Sequence, residues 1–304
     1  MKENRLKYLL AAVSATSLWG FFSITLRKLK AYPSDQILHY RIFTSLAIIW
    51  LIILIFRKKE LKADVQLMKS YSPEQRKKVI WLTLLAGVLI TGNWYSFIYA
   101  VNHINLTSAA FAYMVCPLIT AMGGFLLLKE HLTPLKLLAL GVALLSILIL
   151  AQGSLRDVLW AIGIAVLYAF YLIIQRIIQG IDKLNMLGVH LIISAIFTLP
   201  FFIYHYNGMP TDLNFWVNIV IIAVVYTIIP LFLSLYALIG IPSSTMGIII
   251  YTNPIVAFAV AFFYFHETIN HLQVIAYSML VVAIIVFNWN LLAGLLFKSK
   301  KESI

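Results

Sequence analysis

One basic side chain lies inside a long apolar stretch: Arg41, within SDQILHYRIFTSLAIIW (residues 34–50). An arginine at the centre of a membrane-spanning helix costs on the order of 2.5–3.5 kcal/mol on insertion scales, so it needs compensation. One interpretation is that Arg41 reaches outward to the membrane surface, or pairs with Asp35 or the loop 27–35. The other is that it faces a watery cavity, where it could bind an anionic group such as a carboxylate.

Polar and aromatic side chains at membrane depth are the other candidates for ligand contact. Aromatic rings with polar tips suit an amphipathic organic molecule. Most such residues, however, pack between helices or lie at the membrane interface. The candidates are Trp19, Asn93, Trp94, Tyr99, Tyr113, Tyr168, Tyr171, Tyr226, Tyr251 and Asn253.

Residues for catalysis or metal binding do not cluster in the sequence. His39, His190 and His205 are scattered without the spacing of metal ligands. No Walker phosphate-binding motif is present, and the acidic residues fall at the ends of the apolar segments, so no carboxylate identifies a coupling ion. We therefore expect no enzyme activity, no metal and no cofactor, and transport driven by an ion or solute gradient.

The composition decides which solvent surrounds the chain. Apolar residues make up 62% of the 304 residues and charged residues only 11%, against roughly 25% charged in soluble domains. The sequence therefore predicts an all-α integral membrane protein. The basic charge, +12 overall, lies in short loops and tails, which argues against nucleic acid as a partner. Ten apolar segments are long enough to span a bilayer: 7–26, 36–56, 79–100, 107–128, 134–151, 157–178, 186–206, 214–237, 243–265 and 271–293.

The distribution of lysine and arginine predicts the direction of these spans. With the N-terminus inside, the inside segments hold 18 of the 23 basic residues and the outside loops hold four. Cytoplasmic loops carry the excess of basic residues in membrane proteins. Both termini are therefore expected in the cytoplasm, together with a basic loop at 57–78.

The chain aligns with itself at an offset of 137 residues, where 93–133 matches 230–270 without a gap. Pro117 then meets Pro254 and Glu130, at a loop end, meets Glu267. Both residue types are rare in such segments, so their coincidence indicates a duplication. Two five-helix repeats, 7–151 and 157–293, are predicted, and an odd number of helices in each inverts the second relative to the first.

The paired prolines fall near the middle of the fourth and ninth spans. Each removes one backbone N–H and frees the carbonyl four residues earlier, at Tyr113 and Ile250. A packing kink is one explanation. The recurrence at equivalent depths in both halves favours a role in lining or gating a central cavity.

Several stretches resemble the drug/metabolite transporter superfamily, its EamA branch and, within it, the RarD-like (chloramphenicol-sensitivity) group. They include SDQILHYRIFTS (34–45), GNWYSFIYAVN (92–102), and TIIPL, YTNPI and YFHET (within 227–268). Two departures stand out. The group usually has His-Arg where this chain has Tyr40-Arg41, and Gly-Glu where it has Lys129-Glu130 and His266-Glu267.

The resemblance implies a permease of the plasma or inner membrane and favours export. From the residues and the resemblance together, the sequence predicts a secondary transporter that moves a small organic metabolite or drug-like molecule by alternating access. A lipid scramblase or channel-like protein is the alternative. The expected partners are the lipid bilayer and the substrate, and a coupling ion remains open.

Overall fold

The computed structural model of the chain describes residues 3–103, 106–150, 155–205, 208–266, 271–289 and 293. Throughout these ranges the regular structure is helical, and no strand occurs in them. This follows from the composition, because in a bilayer each segment must satisfy its own backbone hydrogen bonds.

The helices of the N-terminal half follow the predicted segments closely. They are α1 (Glu3–Gly20), α2 (Phe22–Lys28), α3 (Ser34–Phe56), α4 (Lys58–Ser70), α5 (Pro73–His103), α6 (Leu106–Leu128) and α7 (Pro134–Leu150). The expected basic loop at 57–78 is not irregular: α4 and the start of α5 occupy it. The side chains of α4 are exposed or partly exposed throughout.

The C-terminal half is more interrupted. Its helices are α8 (Leu155–Ile177), α9 (Lys183–Tyr204), α10 (Leu213–Ala223), α11 (Ile229–Gly240), α12 (Ser243–Ile249), α13 (Thr252–Phe263) and α14 (His271–Phe287). A π-helical turn, Val224–Ile228, joins α10 to α11. Two residues, Ile250 and Tyr251, separate α12 from α13.

Seven helical stretches within the described ranges are long and apolar enough to cross a membrane: Arg5–Lys28, Asp35–Phe56, Pro73–Phe97, Leu159–Ile177, Lys183–Tyr204, Leu213–Gly240 and Ser243–Phe263. Three shorter apolar helices accompany them, Tyr113–Leu128, Pro134–Ile149 and His271–Phe287. The chain is therefore a helical, multi-pass membrane protein.

The helices pack as two groups of three, joined along one seam. We call α5, α6 and α8 the continuous group, since each runs without a break and packs on the other two. The interrupted group consists of α1–α2, α10–α11 and α12–α13, in which α1 packs against α11, α12 and α13. The seam centres on the contact of α6 with α12, and smaller contacts join α8 to α11 and α12 and α6 to α13. Two pairs, α3 with α9 and α7 with α14, flank these groups.

The π-helical turn has a local cause in the TIIPL sequence. Pro230 has no N–H, so it cannot donate to the carbonyl of Tyr226 four residues earlier. The hydroxyl of Thr227 donates to the Ile222 carbonyl at 2.9 Å. The wider turn thus has one carbonyl held by a side chain of its own helix, and π turns of this kind are frequent at functional sites.

The prolines predicted as a pair sit in unlike surroundings. Pro117 is inside the unbroken α6. Pro254 is the third residue of α13, just after the break. The Ile250 carbonyl, expected to need an outside donor, accepts from the backbone N–H of Asn253 at 2.9 Å. A tighter local turn therefore satisfies it, and it is not left for a ligand.

Candidate functional site: a cavity between the two groups

A cavity of about 330 Å³ lies between the continuous and the interrupted groups. Its lining reaches Leu26 in the last turn of α2 and Ile37 in the first turn of α3. These residues approach the end of the bundle where the Tyr32 hydroxyl donates to Asp212 at 3.1 Å, which we call the Tyr32 end. The cavity thus extends from mid-bundle toward that end.

Arg41 lines the cavity and is anchored on one side only. Its Nε donates to the hydroxyl of Thr227, in the π-helical turn, at 2.8 Å. Its guanidinium carbon lies 4.8 Å from the ring centroid of Trp94 and 5.8 Å from that of Phe22. No carboxylate within the described ranges lies at ion-pair distance from it, so the pairing with Asp35 considered above is not made.

Neighbouring polar side chains of the lining are tied to backbone carbonyls. The indole N–H of Trp19 donates to the Tyr226 carbonyl at 3.0 Å, the one that Pro230 cannot reach. The amide nitrogen of Asn93 donates to the Ile164 carbonyl at 2.9 Å. Each of these bonds crosses from one helix to another and holds the lining in place. Arg41 is the one charged side chain in the described part of this lining.

The structure brings together most of the residues singled out from the sequence. Trp19, Arg41, Asn93, Trp94, Tyr113, Tyr168, Tyr226, Asn253 and Pro254 all line the cavity. Tyr171 and Tyr251 do not, because both are fully buried between helices. Pro117 is buried at the seam, where its carbonyl faces Gly247. The side chain of Tyr99 and all of Glu267 lie outside the part of the chain that is described.

Several lining residues were not anticipated. Phe22, Phe97, Met114, Leu231, Ala257 and Tyr277 are apolar or aromatic, and in a chain this hydrophobic nothing distinguishes them from packing residues. Thr227, the anchor of Arg41, did carry a signal. It is a hydroxyl at mid-span, three residues before a proline, where a helix needs an alternative hydrogen bond.

The opposite end of the bundle is closed by hydrogen bonds, and Glu130 is central to them. One carboxylate oxygen of Glu130 accepts from the backbone N–H and the hydroxyl of Ser243, both at 2.8 Å. The other accepts from the backbone N–H of Ser244 at 2.9 Å. These N–H groups begin α12 and have no partner within it. The loop-end glutamate predicted from the sequence therefore links α6 to α12 across the seam. We call this the Glu130 end.

Further polar contacts surround the Glu130 hydrogen bonds, which we call the latch. Arg57 pairs with Asp182 at 2.7 Å, and the amide of Asn185 donates to Asp64 at 2.6 Å. Arg176 donates to the carbonyls of Leu238 and Ile239 at 2.7 and 3.0 Å. The helix ends at this side are thus bonded to one another, whereas the cavity lies toward the other side.

Two residues at equivalent places after α6 and α13 share an unusual backbone conformation. Lys129 has φ of 52° and His266 has φ of 53°, in the left-handed region that favours glycine. They are the positions where the resemblance leads one to expect Gly-Glu. The turn geometry therefore explains the usual glycine, and this chain adopts the same turn with larger residues.

The chemistry of the lining is suited to binding. Among the residues that the structure describes, no group of three or more His, Cys, Asp or Glu side chains is placed to hold a metal ion. The cavity offers one guanidinium, several aromatic faces and a few amide and hydroxyl groups. Such a lining can hold and orient an organic molecule.

Comparison with known proteins identifies the family of the chain. The EamA-like transporter family matches the chain twice, at residues 6–152 and 155–289. Protein RarD of Streptomyces exfoliatus is 27% identical, over 93% of this chain and 89% of its own length. An uncharacterized transporter of Vibrio cholerae is 27% identical, over 94% and 93%. Protein RarD of Escherichia coli is 26% identical, over 94% and 95%.

A crystal structure of another protein has the same fold. It superposes with a TM-score of 0.73 at 15% sequence identity and covers 93% of this chain and 97% of its own. The two family matches span nearly the whole sequence, so the chain is a RarD-like member of the EamA-like transporter family.

Proposed function

We propose that this protein is a secondary transporter that carries a small organic molecule across the plasma membrane by alternating access, in the direction of export. The observation that carries the proposal is the cavity between the two helix groups, which approaches the Tyr32 end while the Glu130 end is held shut. A site reachable from one side at a time is what alternating access requires.

The proposed architecture is ten transmembrane helices in two inverted repeats, 7–151 and 157–293. The double family match supports it. So does the packing: numbering the spans 1–10, the contact of spans 4 and 6 (α6, α8) corresponds to that of 9 and 1 (α13, α1). The contact of 3 and 6 (α5, α8) corresponds to that of 8 and 1 (α11, α1). Each contact thus recurs when the halves are exchanged.

This correspondence suggests how the protein changes state. If the repeats are equivalent, each can adopt the shape that the other has in this structure. The interrupted group would straighten and the continuous group would bend, which would move the opening from the Tyr32 end to the Glu130 end. Pro117, buried in α6, would be the bending point.

The proposed orientation places the Glu130 end and both termini in the cytoplasm, since the predicted inside segments hold 18 of the 23 basic residues. The described state is then outward-facing.

The test of this orientation uses single cysteines in a Cys116→Ser background. His131→Cys, after α6, and His271→Cys, at the start of α14, are both exposed in this structure. We expect an impermeant maleimide to label the first from inside and the second from outside. Labelling of both from one side would contradict the inverted arrangement.

Transport itself is tested with purified protein in proteoliposomes. A thermal-shift screen of metabolites and antibiotics first finds a stabilising molecule, which is then supplied in radiolabelled form. Saturable uptake that shows counterflow supports a transporter. Non-saturable flux, or movement of fluorescent lipid between leaflets without solute uptake, would instead support the channel-like or scramblase alternative.

A further inference from the structure

The charge of the cavity is unbalanced. Among the lining residues that the structure describes, Arg41 is the only ionised one. In the sequence, no Asp or Glu occurs at 36–56, 75–129, 158–181 or 213–266, the stretches that supply most of the lining. A guanidinium in a partly buried, aromatic site without a counter-ion is a costly arrangement unless something anionic completes it.

The hydrogen-bonding capacity of Arg41 is also unfilled. A guanidinium has five N–H donors. Only Nε has a partner in the described structure, the Thr227 hydroxyl, and the two terminal nitrogens have none. The rings of Trp94 and Phe22 flank the group and limit its rotation. The terminal N–H groups therefore form a held, open fork of the kind that binds a carboxylate through two parallel bonds.

The number of charges limits what can fill this fork. One positive charge neutralises one negative charge, so a doubly charged phosphate would leave a charge uncompensated in an apolar site. An ammonium group would meet no carboxylate in the lining. A monoanionic acid, either a carboxylate or a sulfonate, fits both conditions.

The rest of the lining indicates the chemistry and size of the remainder of the ligand. Trp19, Tyr113 and Tyr168 present aromatic surface, with the rings of Trp19 and Tyr168 edge to face at 6.0 Å and those of Tyr113 and Tyr168 at 6.5 Å. The volume of about 330 Å³ is at the small end of ligand cavities, which run from roughly 300 to 1,000 Å³. A compact, flat apolar body is therefore accommodated better than a long chain.

We infer that the cavity binds an organic monoanion, in which a carboxylate or sulfonate meets the terminal nitrogens of Arg41 and an aromatic or apolar body lies among the surrounding rings. This inference rests on the proposed function, because it names the substrate class of the same cavity.

The test compares three probes with one body: phenylacetate, phenylacetamide and phenethylamine, the first an anion, the second neutral and the third a cation. Binding to the purified protein is measured by calorimetry and by tryptophan fluorescence, since Trp94 lies beside the guanidinium. Phenyl phosphate, a dianion, is the fourth probe. We expect phenylacetate to bind at least tenfold more tightly than the other three.

The variant series is Arg41→Gln, Arg41→Lys and, as the control, Arg5→Gln, which removes an exposed arginine far from the cavity. Arg41→Gln should abolish the preference for the anion while leaving phenylacetamide binding unchanged. Arg41→Lys should keep part of the preference, and Arg5→Gln all of it. If Arg41→Gln does not fold, the order of the four binding affinities on the unmodified protein still tests the inference.

The inference is overturned if the amide, the amine or the phosphate binds as tightly as the acid, if the preference persists in Arg41→Gln, or if no probe binds. Failure of the inference is distinguishable from failure of the proposed function. If a neutral or cationic molecule showed saturable counterflow in proteoliposomes, the proposed transport function would hold and only the substrate class would be different.

Discussion

The continuous and interrupted groups consist of spans that correspond in the proposed repeats, yet they differ in shape. α5, α6 and α8 run without breaks, whereas their counterparts are interrupted at Phe21, at Val224–Ile228 and at Ile250–Tyr251. Each interruption lies close to the cavity, next to the lining residues Phe22, Tyr226 and Asn253. The irregular backbone is thus concentrated on one wall of the cavity and the regular backbone on the other.

The prolines show that local sequence alone does not produce this difference. Pro117 and Pro254 align, but only Pro254 lies beside a break. In α6 the proline is packed against α12 at the seam, and the helix continues through it. The difference teaches that a proline in a membrane helix permits a bend, while packing decides whether the bend is present.

The largest expected effect comes from wedging the seam between the two groups. A Cβ added to Gly247 would lie 2.9 Å from the Thr120 Cβ and 3.1 Å from the Pro117 carbonyl oxygen. Gly247→Ala should therefore lower stability by about 1–3 kcal/mol through overpacking. The measurement is the melting temperature in detergent. Gly163→Ala in α8 is the control, since an added Cβ there meets nothing within 4 Å. Equal melting temperatures for the two variants would show that the seam is not tightly packed.

Next in size is the loss of the latch at the Glu130 end. Glu130→Gln removes a charge from three hydrogen bonds and turns an amide N–H₂ toward a donor, which should weaken the closure by about 2 kcal/mol. Cys116, the only cysteine of the chain and fully buried, is one turn beyond Tyr113 toward this end. Its alkylation by N-ethylmaleimide should become at least fivefold faster. Glu74→Gln, which changes an exposed glutamate at the start of α5, should leave the rate unchanged, and an unchanged rate in Glu130→Gln would contradict the latch.

The prolines allow a direct test of the exchange of shapes. Pro117→Ala restores an N–H that can donate to the Tyr113 carbonyl, which favours the straight α6 over a bent one by about 1 kcal/mol. Turnover in proteoliposomes should fall roughly fivefold. Pro254 is within the first turn of α13, where an N–H has no intrahelical partner in any case. Pro254→Ala should therefore change turnover less, and the reverse order would argue that α6 never bends.

The smallest effect concerns a feature that both halves share. Lys129→Gly and His266→Gly remove side chains from left-handed residues and should each stabilise the protein by about 0.5–1 kcal/mol. Gly208→Ala is the opposite change, at φ of 90° with open space around it, and should destabilise by a similar amount. If stability rose after one of Lys129→Gly and His266→Gly and fell after the other, the two turns would not be equivalent.

Much of this organisation is predictable from the sequence. Apolar length places the helices, and the polar or aromatic candidates at mid-span supply eight of the twenty described lining residues, Arg41 among them. The contrast between the two groups is not predictable, because aligned residues such as Pro117 and Pro254 adopt different backbones according to their packing. Tyr171 and Tyr251 also look like lining residues in the sequence, but helix rotation turns them into the protein. Rotation of this kind depends on neighbouring helices, which one segment does not specify.

The bond between Arg41 and Thr227 has a consequence for turnover. It ties α3, a flanking helix, to the π-helical turn of the interrupted group. An arriving acid that draws the guanidinium toward itself would loosen this tie, so recognition of the cargo and release of a moving part would share a single contact. A protein built in this way would tend to stay in place when empty and to shift when loaded, which limits futile cycling across the membrane.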